Sequence, residues 1–308
     1  MTFRRGATLP VSVTLGHADT CDLGPTAGNG FYKRWPDDLA LLADLGVTDL
    51  RLTFDWARFP PKPGEFSGAW VERYENVVQA ATAVGMTVWA ALHDAGVPRW
   101  FLNEGGLDDD EAVTAWWPRW VERVADRFGD AVEGWIPFAE LPNGLPDQVW
   151  IDTWGILGGG DADVVLSLTA ADGFGAATRH EGRFGRLGIA FDALADPDVS
   201  VDAFGDDLLD GESNRWSEGV DSAAEAVSGA PIVVSRFTPN HDDPDVDGRL
   251  MDRMVGVLDA AIADGIAVDT CFVEPAIAGP DSAMALLGTD RTPRPAAEVY
   301  LTSADDDR

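Results

Sequence analysis

Short β-branched or aromatic runs alternate with longer amphipathic stretches along most of this chain, and that alternation constrains the fold more than any other feature. Strand-like runs lie at 11–15, 49–54, 87–92 and 132–138. Helix-like stretches between and after them lie at 35–45, where Leu39, Leu41, Leu42 and Leu45 share a face, and at 70–84 and 111–128. The second half reads as a glycine-rich helical region at 163–179, strands at 187–191 and 199–204, and a helix at 217–227. A strand at 231–234, a helix at 247–263 with Leu250, Met254, Val257, Leu258 and Ile262 inward, and a strand at 266–273 follow. Gly-x-apolar turns stand just before strands in Leu45-Gly-Val-Thr, Val84-Gly-Met-Thr and Asp264-Gly-Ile-Ala, the mark of a helix stop and a short return connection.

Eight strands with intervening helices predict an α/β fold, a single (β/α)8 TIM barrel over 1–308 with a short acidic tail, its chemistry at the C-terminal ends of the strands. A doubly wound open sheet is disfavoured because no Gly-x-Gly-x-x-Gly follows the first strand. Asp108-Asp-Asp-Glu reads as a helix N-terminus or a solvated acidic edge.

Charge narrows the partners. With 53 Asp and Glu against 22 Lys and Arg, the net charge is −31. Nucleic acid and anionic bilayers are repelled at long range, so a small-molecule ligand is expected and neither nucleic acid nor membrane is. No apolar run approaches the ~18–20 residues of a membrane span. The Val/Ser/Val/Thr alternation after Pro10 reads as a strand in preference to a signal peptide. Two cysteines, Cys21 and Cys271, suit a reducing, cytoplasmic setting and packing roles. The spacing of His17, His93 and Asp94 fits no metal site, and no cofactor is indicated. Of the 12 tryptophans, Trp116, Trp117 and Trp120 fall on the helix at 111–128 and are expected to pack in the core.

Several motifs in order carry a resemblance. They are Leu50-Arg-Leu-Thr-Phe-Asp-Trp-Ala-Arg-Phe-Pro-Pro with Pro63-Gly-Glu-Phe, Ala91-Leu-His-Asp-Ala-Gly-Val-Pro-Arg-Trp, Asn103-Glu-Gly-Gly-Leu, and Phe128-Gly-Asp-Ala-Val-Glu-Gly-Trp-Ile-Pro-Phe-Ala-Glu-Leu-Pro. Together they resemble family 1 glycoside hydrolases, the β-glucosidase-like retaining enzymes, over 31–142, resuming at 231–235 and 247–273. Arg291-Thr-Pro-Arg-Pro-Ala-Ala-Glu-Val-Tyr is similar to the family's closing segment.

The resemblance places Glu140, in Pro-Phe-Ala-Glu-Leu, where the family keeps its general acid/base in Thr-Phe-Asn-Glu-Pro. A carboxyl at a strand end among Trp135 and Phe138 also suits that role physically. The family's nucleophile position corresponds to Arg236 in Pro-Ile-Val-Val-Ser-Arg-Phe. A guanidinium has no lone pair to attack an anomeric carbon, so the usual two-step retaining mechanism does not run from there. Ala139 replaces the Asn before the acid/base, no Gln-x-Glu-Gly follows the first strand, and Phe272-Val-Glu-Pro-Ala-Ile-Ala-Gly stands where the family has Trp-Ser-x-x-Asp-Asn-x-Glu-Trp.

Arg51 and His93 match retained family positions, and Glu274, after the eighth strand, is the best replacement carboxylate. About 6.5–9.5 Å between Glu140 and Glu274 would suit an inverting hydrolysis, about 5–5.5 Å a retaining one. Asp55 and Asp94 are further substrate-binding candidates, and His17 and Asp19 candidate rim residues. Arg236 has two readings: with Arg51 it binds a carboxylate or phosphate on the ligand, or it salt-bridges Glu140 or Glu274. Three functions follow: a divergent glycosidase acting through Glu140, a non-catalytic sugar-binding barrel, or a barrel reassigned to acid/base chemistry on an anionic metabolite.

Overall fold

A computed structural model describes residues 3–15, 28–60, 62–94, 96–192, 201–227, 229–239, 243–279 and 285–302. Strands β1 (Arg4–Leu9), β2 (Asp49–Thr53), β3 (Thr87–Ala91), β4 (Gly134–Ile136), β5 (Asp163–Thr169), β6 (Arg186–Asp192), β7 (Ile232–Thr238) and β8 (Val268–Val273) pair in parallel and close as β1-β2-β3-β4-β5-β6-β7-β8. The helices are α1 (Val11–Thr14), α2 (Phe31–Asp44), α3 (Gly68–Ala83), α4 (Arg99–Asn103), α5 (Asp110–Phe128), α6 (Asp147–Leu157), α7 (Gly175–Arg179), α8 (Val201–Ala226), α9 (Pro244–Ala263) and α10 (Pro295–Thr302). The expected (β/α)8 barrel is therefore the fold.

Local chemistry sets the element ends. Gly46, Gly85 and Gly265 adopt φ of 103°, 87° and 89°, so the three predicted helix stops are left-handed turns that only glycine takes without strain. The acidic run at 108–111 is a helix start: the Asp109 side chain accepts from the Ala112 amide at 2.8 Å, and Asp110 and Glu111 lie in the first turn of α5.

Four expectations need correction. The first strand is Arg4–Leu9, while Val11–Thr14 is one helical turn after Pro10. Strand β1 carries arginines and Gly6, whose missing Cβ leaves room for the Phe272 ring; a Cβ there would lie 2.4 Å from it. The segment 163–179 opens with strand β5, because Val164 and Leu166 are buried against the helices and Val165 inside the cylinder, and only Gly175–Arg179 is α-helical. Residues 201–204, read as part of a strand, belong to α8, which also contains most of the predicted helix at 217–227. Within α9, Leu250, Met254, Val257 and Leu258 are buried as expected, but Ile262 is exposed.

A small inner core of Trp89, Ala91, Ile136, Val165, Val233 and Phe272 fills the cylinder. Gly134 makes space for it: a Cβ there would meet the Trp89 ring at 2.2 Å. Below lies an ionic floor. Asp49 Oδ1 accepts from Trp89 Nε1 at 2.8 Å and Thr87 Oγ1 at 2.7 Å and lies 3.2 Å from Arg4 Nη1. Arg186 pairs with Asp163 at 2.6 Å and with buried Asp269. The guanidiniums of Arg4 and Arg186 lie 5.1 and 5.6 Å from the Trp89 ring.

The closing segment is tied down twice. Arg291 Nε and Nη2 donate to Asp38 Oδ1 and Oδ2 of α2 at 2.9 and 2.8 Å. Tyr300 donates to the carbonyls of Cys271 at 2.5 Å and Gly6 at 3.2 Å. Cys271 packs in the core, where burial pushes its thiol up. Cys21 lies outside the described residues.

Candidate active site

Strand β2 feeds the site from within the barrel. Its alternation sends Asp49 to the floor, Arg51 to the middle and Thr53 to the upper end. Arg51 is completely buried, and its guanidinium crosses the cylinder. Nη1 donates to the Ser235 carbonyl on β7 at 2.7 Å and lies 3.3 Å from Glu274 Oε2, just past β8. Nη2 lies 3.8 Å from Asp94 Oδ1 past β3, and Asp94 Oδ2 accepts from Thr53 Oγ1 at 3.0 Å. Arg51 Nε and Nη2 have no hydrogen-bond partner among the described residues. One buried cation thus gathers two carboxylates and strand β7.

Arg236, next on β7 after Ser235, is ion-paired with Glu140 beyond β4. Ser167 on β5 fixes this side: its hydroxyl donates to the Ala139 carbonyl at 2.5 Å, lies 2.6 Å from the Ser235 hydroxyl, and its carbonyl accepts from the Leu141 amide at 2.9 Å. The backbone on both sides of Glu140 is therefore pinned to β5. Ser167 and Ser235 escaped the sequence reading. Assigning 163–169 as a strand would have placed Ser167 on the inward face of its alternation.

His93 stands between these groups and the aromatic wall. Its ring centroid lies 5.9 Å from Phe138 and 6.5 Å from Trp117, and Trp117 stacks on Phe138 at 4.2 Å. The His93 carbonyl accepts from the Ala139 amide at 2.8 Å. Burial lowers the imidazole pKa to about 4, although Asp94 pulls the other way. At neutral pH His93 is an uncharged hydrogen-bonding group.

Asp55 is placed elsewhere. Its carboxylate pairs with Arg58 and accepts from the Ala57 amide at 2.9 Å, a turn that ends β2. His17 and Asp19 lie outside the described residues. Of the tryptophans expected in the core, Trp117 and Trp120 are buried, whereas Trp116 is half-buried. Among the described residues no group of three or more His, Cys, Asp or Glu is arranged to hold a metal ion, and no helix is long and apolar enough to cross a membrane.

The chain from Glu140 through Arg236, Ser235 and Arg51 to Glu274 lies across the strand ends where the resemblance expects a sugar-cleaving centre. Residues 19–147 match glycosyl hydrolase family 1. The match contains the motifs at 50–66, 91–107 and 128–142 and includes Glu140; Arg236 and Glu274 lie beyond it. β-Glucosidase 34 of Oryza sativa subsp. japonica is 32% identical over 116 residues, 35% of this chain and 22% of that enzyme. β-Glucosidase A of Thermotoga maritima is 25% identical over 130 residues, 42% of this chain and 29% of that enzyme. The matched stretch thus spans less than a third of either enzyme.

Solved structures extend the likeness to the whole fold. The apo structure of β-glucosidase 1317 superposes with a TM-score of 0.74 at 19% identity, covering 98% of each chain. The Thermotoga maritima β-glucosidase complex with castanospermine gives 0.71 at 12% identity, covering 97% of this chain and 96% of that one. This chain therefore has the same barrel fold as these β-glucosidases.

Proposed function

We propose that this protein is a divergent family 1-like barrel that acts on a glycoside, or a related small molecule bearing an anionic group, with Glu140 as general acid/base. The observation that carries this reading is the Arg236–Glu140 ion pair. It joins the carboxylate that the resemblance makes the acid/base to the arginine that takes the nucleophile's place. In that pair the guanidinium occupies the Glu140 carboxylate, so Glu140 must be released from Arg236 before it can act on a ligand.

An anionic substituent on the ligand would release it by taking the guanidinium in bidentate fashion. Glu140 would then give a proton to the departing oxygen as the glycosidic bond breaks. Glu274, held by Arg51, is the second carboxylate of the proposal, taking a proton from the water that attacks the anomeric carbon. The orphaned donors of buried Arg51 supply further hydrogen bonds for an oxygen-rich ligand.

A second reading, a non-catalytic sugar-binding barrel, is favoured by the same fact that both carboxylates are arginine-paired. A panel of neutral and 6-phosphorylated aryl β-glycosides separates the two. Turnover that falls at least ~100-fold in Glu140→Gln supports the enzyme. No turnover of any panel member, with sugar-dependent thermal stabilisation retained in Glu140→Gln, supports the binder.

A further inference from the structure

On the outer side of the barrel, the turn after β2 and helices α4 and α5 line an open groove of about 180 Å3. Trp56 and Trp120, both nearly fully buried, make its floor, and half-buried Trp100, Trp116 and Phe66 make its walls. The indole N–H groups of Trp100, Trp116 and Trp120 are already committed, to Pro60 O, the Glu104 carboxylate and Leu92 O. What these rings offer a visitor is therefore apolar surface.

Polar recognition is left to two cations. Arg119 and Arg123 are four residues apart on α5, so they share one face of the helix. Both are exposed, with guanidiniums 4.7 Å from the Trp116 ring and 5.6 Å from the Phe66 ring. Neither has a carboxylate within 4 Å among the described residues, in a chain with 53 carboxylates against 22 Lys and Arg. The only carboxylate lining the groove among the described residues, Glu65, is 3.5 Å from Lys62.

We propose that this groove is a second ligand site, separate from the barrel mouth, that takes a flat aromatic anion of one or two rings, a carboxylate or sulfonate. The ring system lies against Trp100, Trp116 and Phe66, and the anionic group is held between Arg119 and Arg123. Neither arginine belongs to the proposed active site, so the inference does not depend on the function proposed above.

The test is calorimetric titration with 2-naphthalenesulfonate and with uncharged 2-naphthol. For the native chain, the sulfonate is expected to bind about tenfold more tightly than the naphthol. Arg119→Gln/Arg123→Gln removes that preference and leaves naphthol affinity unchanged, while Trp100→Ala/Trp116→Ala weakens both ligands. Arg236→Gln leaves sulfonate binding as it was. The proposal is overturned if the two probes bind equally or not at all, or if the double arginine variant keeps the preference. It is also overturned if Arg236→Gln abolishes sulfonate binding, which would put the anion at the barrel mouth.

Discussion

Arg236 on β7 is ion-paired with Glu140 beyond β4, while its chain neighbour Ser235 offers its carbonyl to Arg51, which pairs with Glu274. Two consecutive residues of one strand thus govern both candidate carboxylates. This arrangement makes position 236 the place to test what the site has become. Arg236→Glu returns a carboxylate to the position the resemblance assigns to a nucleophile. Incubated with an activated 2-deoxy-2-fluoro aryl glycoside, this variant is expected to gain a covalent adduct at residue 236, read by peptide mass spectrometry. The native chain should show none there, and an unlabelled variant would count against the alignment of β7 with the nucleophile strand.

His93 gives a pH signature. Its pKa is lowered to about 4 by burial, against an unfolded value of about 6.5. Between these values the unfolded chain binds more protons than the folded one, so this group's contribution to stability is full above about pH 6.5 and is lost as pH falls toward 4. NMR titration should find the ring neutral at pH 5.5. Urea unfolding of His93→Gln should show a shallower loss of stability across that window than the native chain.

The Arg291–Asp38 pair is bidentate and buried on both sides. Arg291→Ala strands a buried carboxylate and is expected to cost about 3–5 kcal/mol in urea unfolding. Asp38→Ala/Arg291→Ala should cost less than the two single changes summed, because the second substitution removes the stranded charge.

Gly134→Ala would drive a methyl group into the Trp89 ring, 2.2 Å away, inside a core with no room to yield. A loss of about 1–3 kcal/mol is expected from thermal unfolding. Adding Trp89→Leu should recover part of it, which a purely local backbone effect at residue 134 would not allow.

The barrel was legible because its signals are local. Strand-length apolar runs and the glycine stops at Gly46, Gly85 and Gly265 need no tertiary information. Strands β1 and β5 were misplaced because their sequences serve tertiary partners. Gly6 yields to Phe272, and β5 is followed by small residues whose helical propensity extends the apparent helix backwards. The clustering of Arg51, Asp94 and Glu274 followed from all three lying on inward or C-terminal strand positions. Asp55 lies at such a position too, but Arg58 three residues on captures it in a turn, a short-range competition that strand counting does not register. Ser167 and Ser235 remained invisible because a buried serine carries no sequence pattern of its own.

The Asp49–Trp89–Arg4 and Arg186–Asp269 contacts stopper one end of the cylinder with paired charge and a tryptophan. Any guest that reaches Arg51 must therefore arrive from the opposite opening and depart by the same route. Selection among guests then falls to the loops around that single doorway, which can diverge without disturbing the seal beneath.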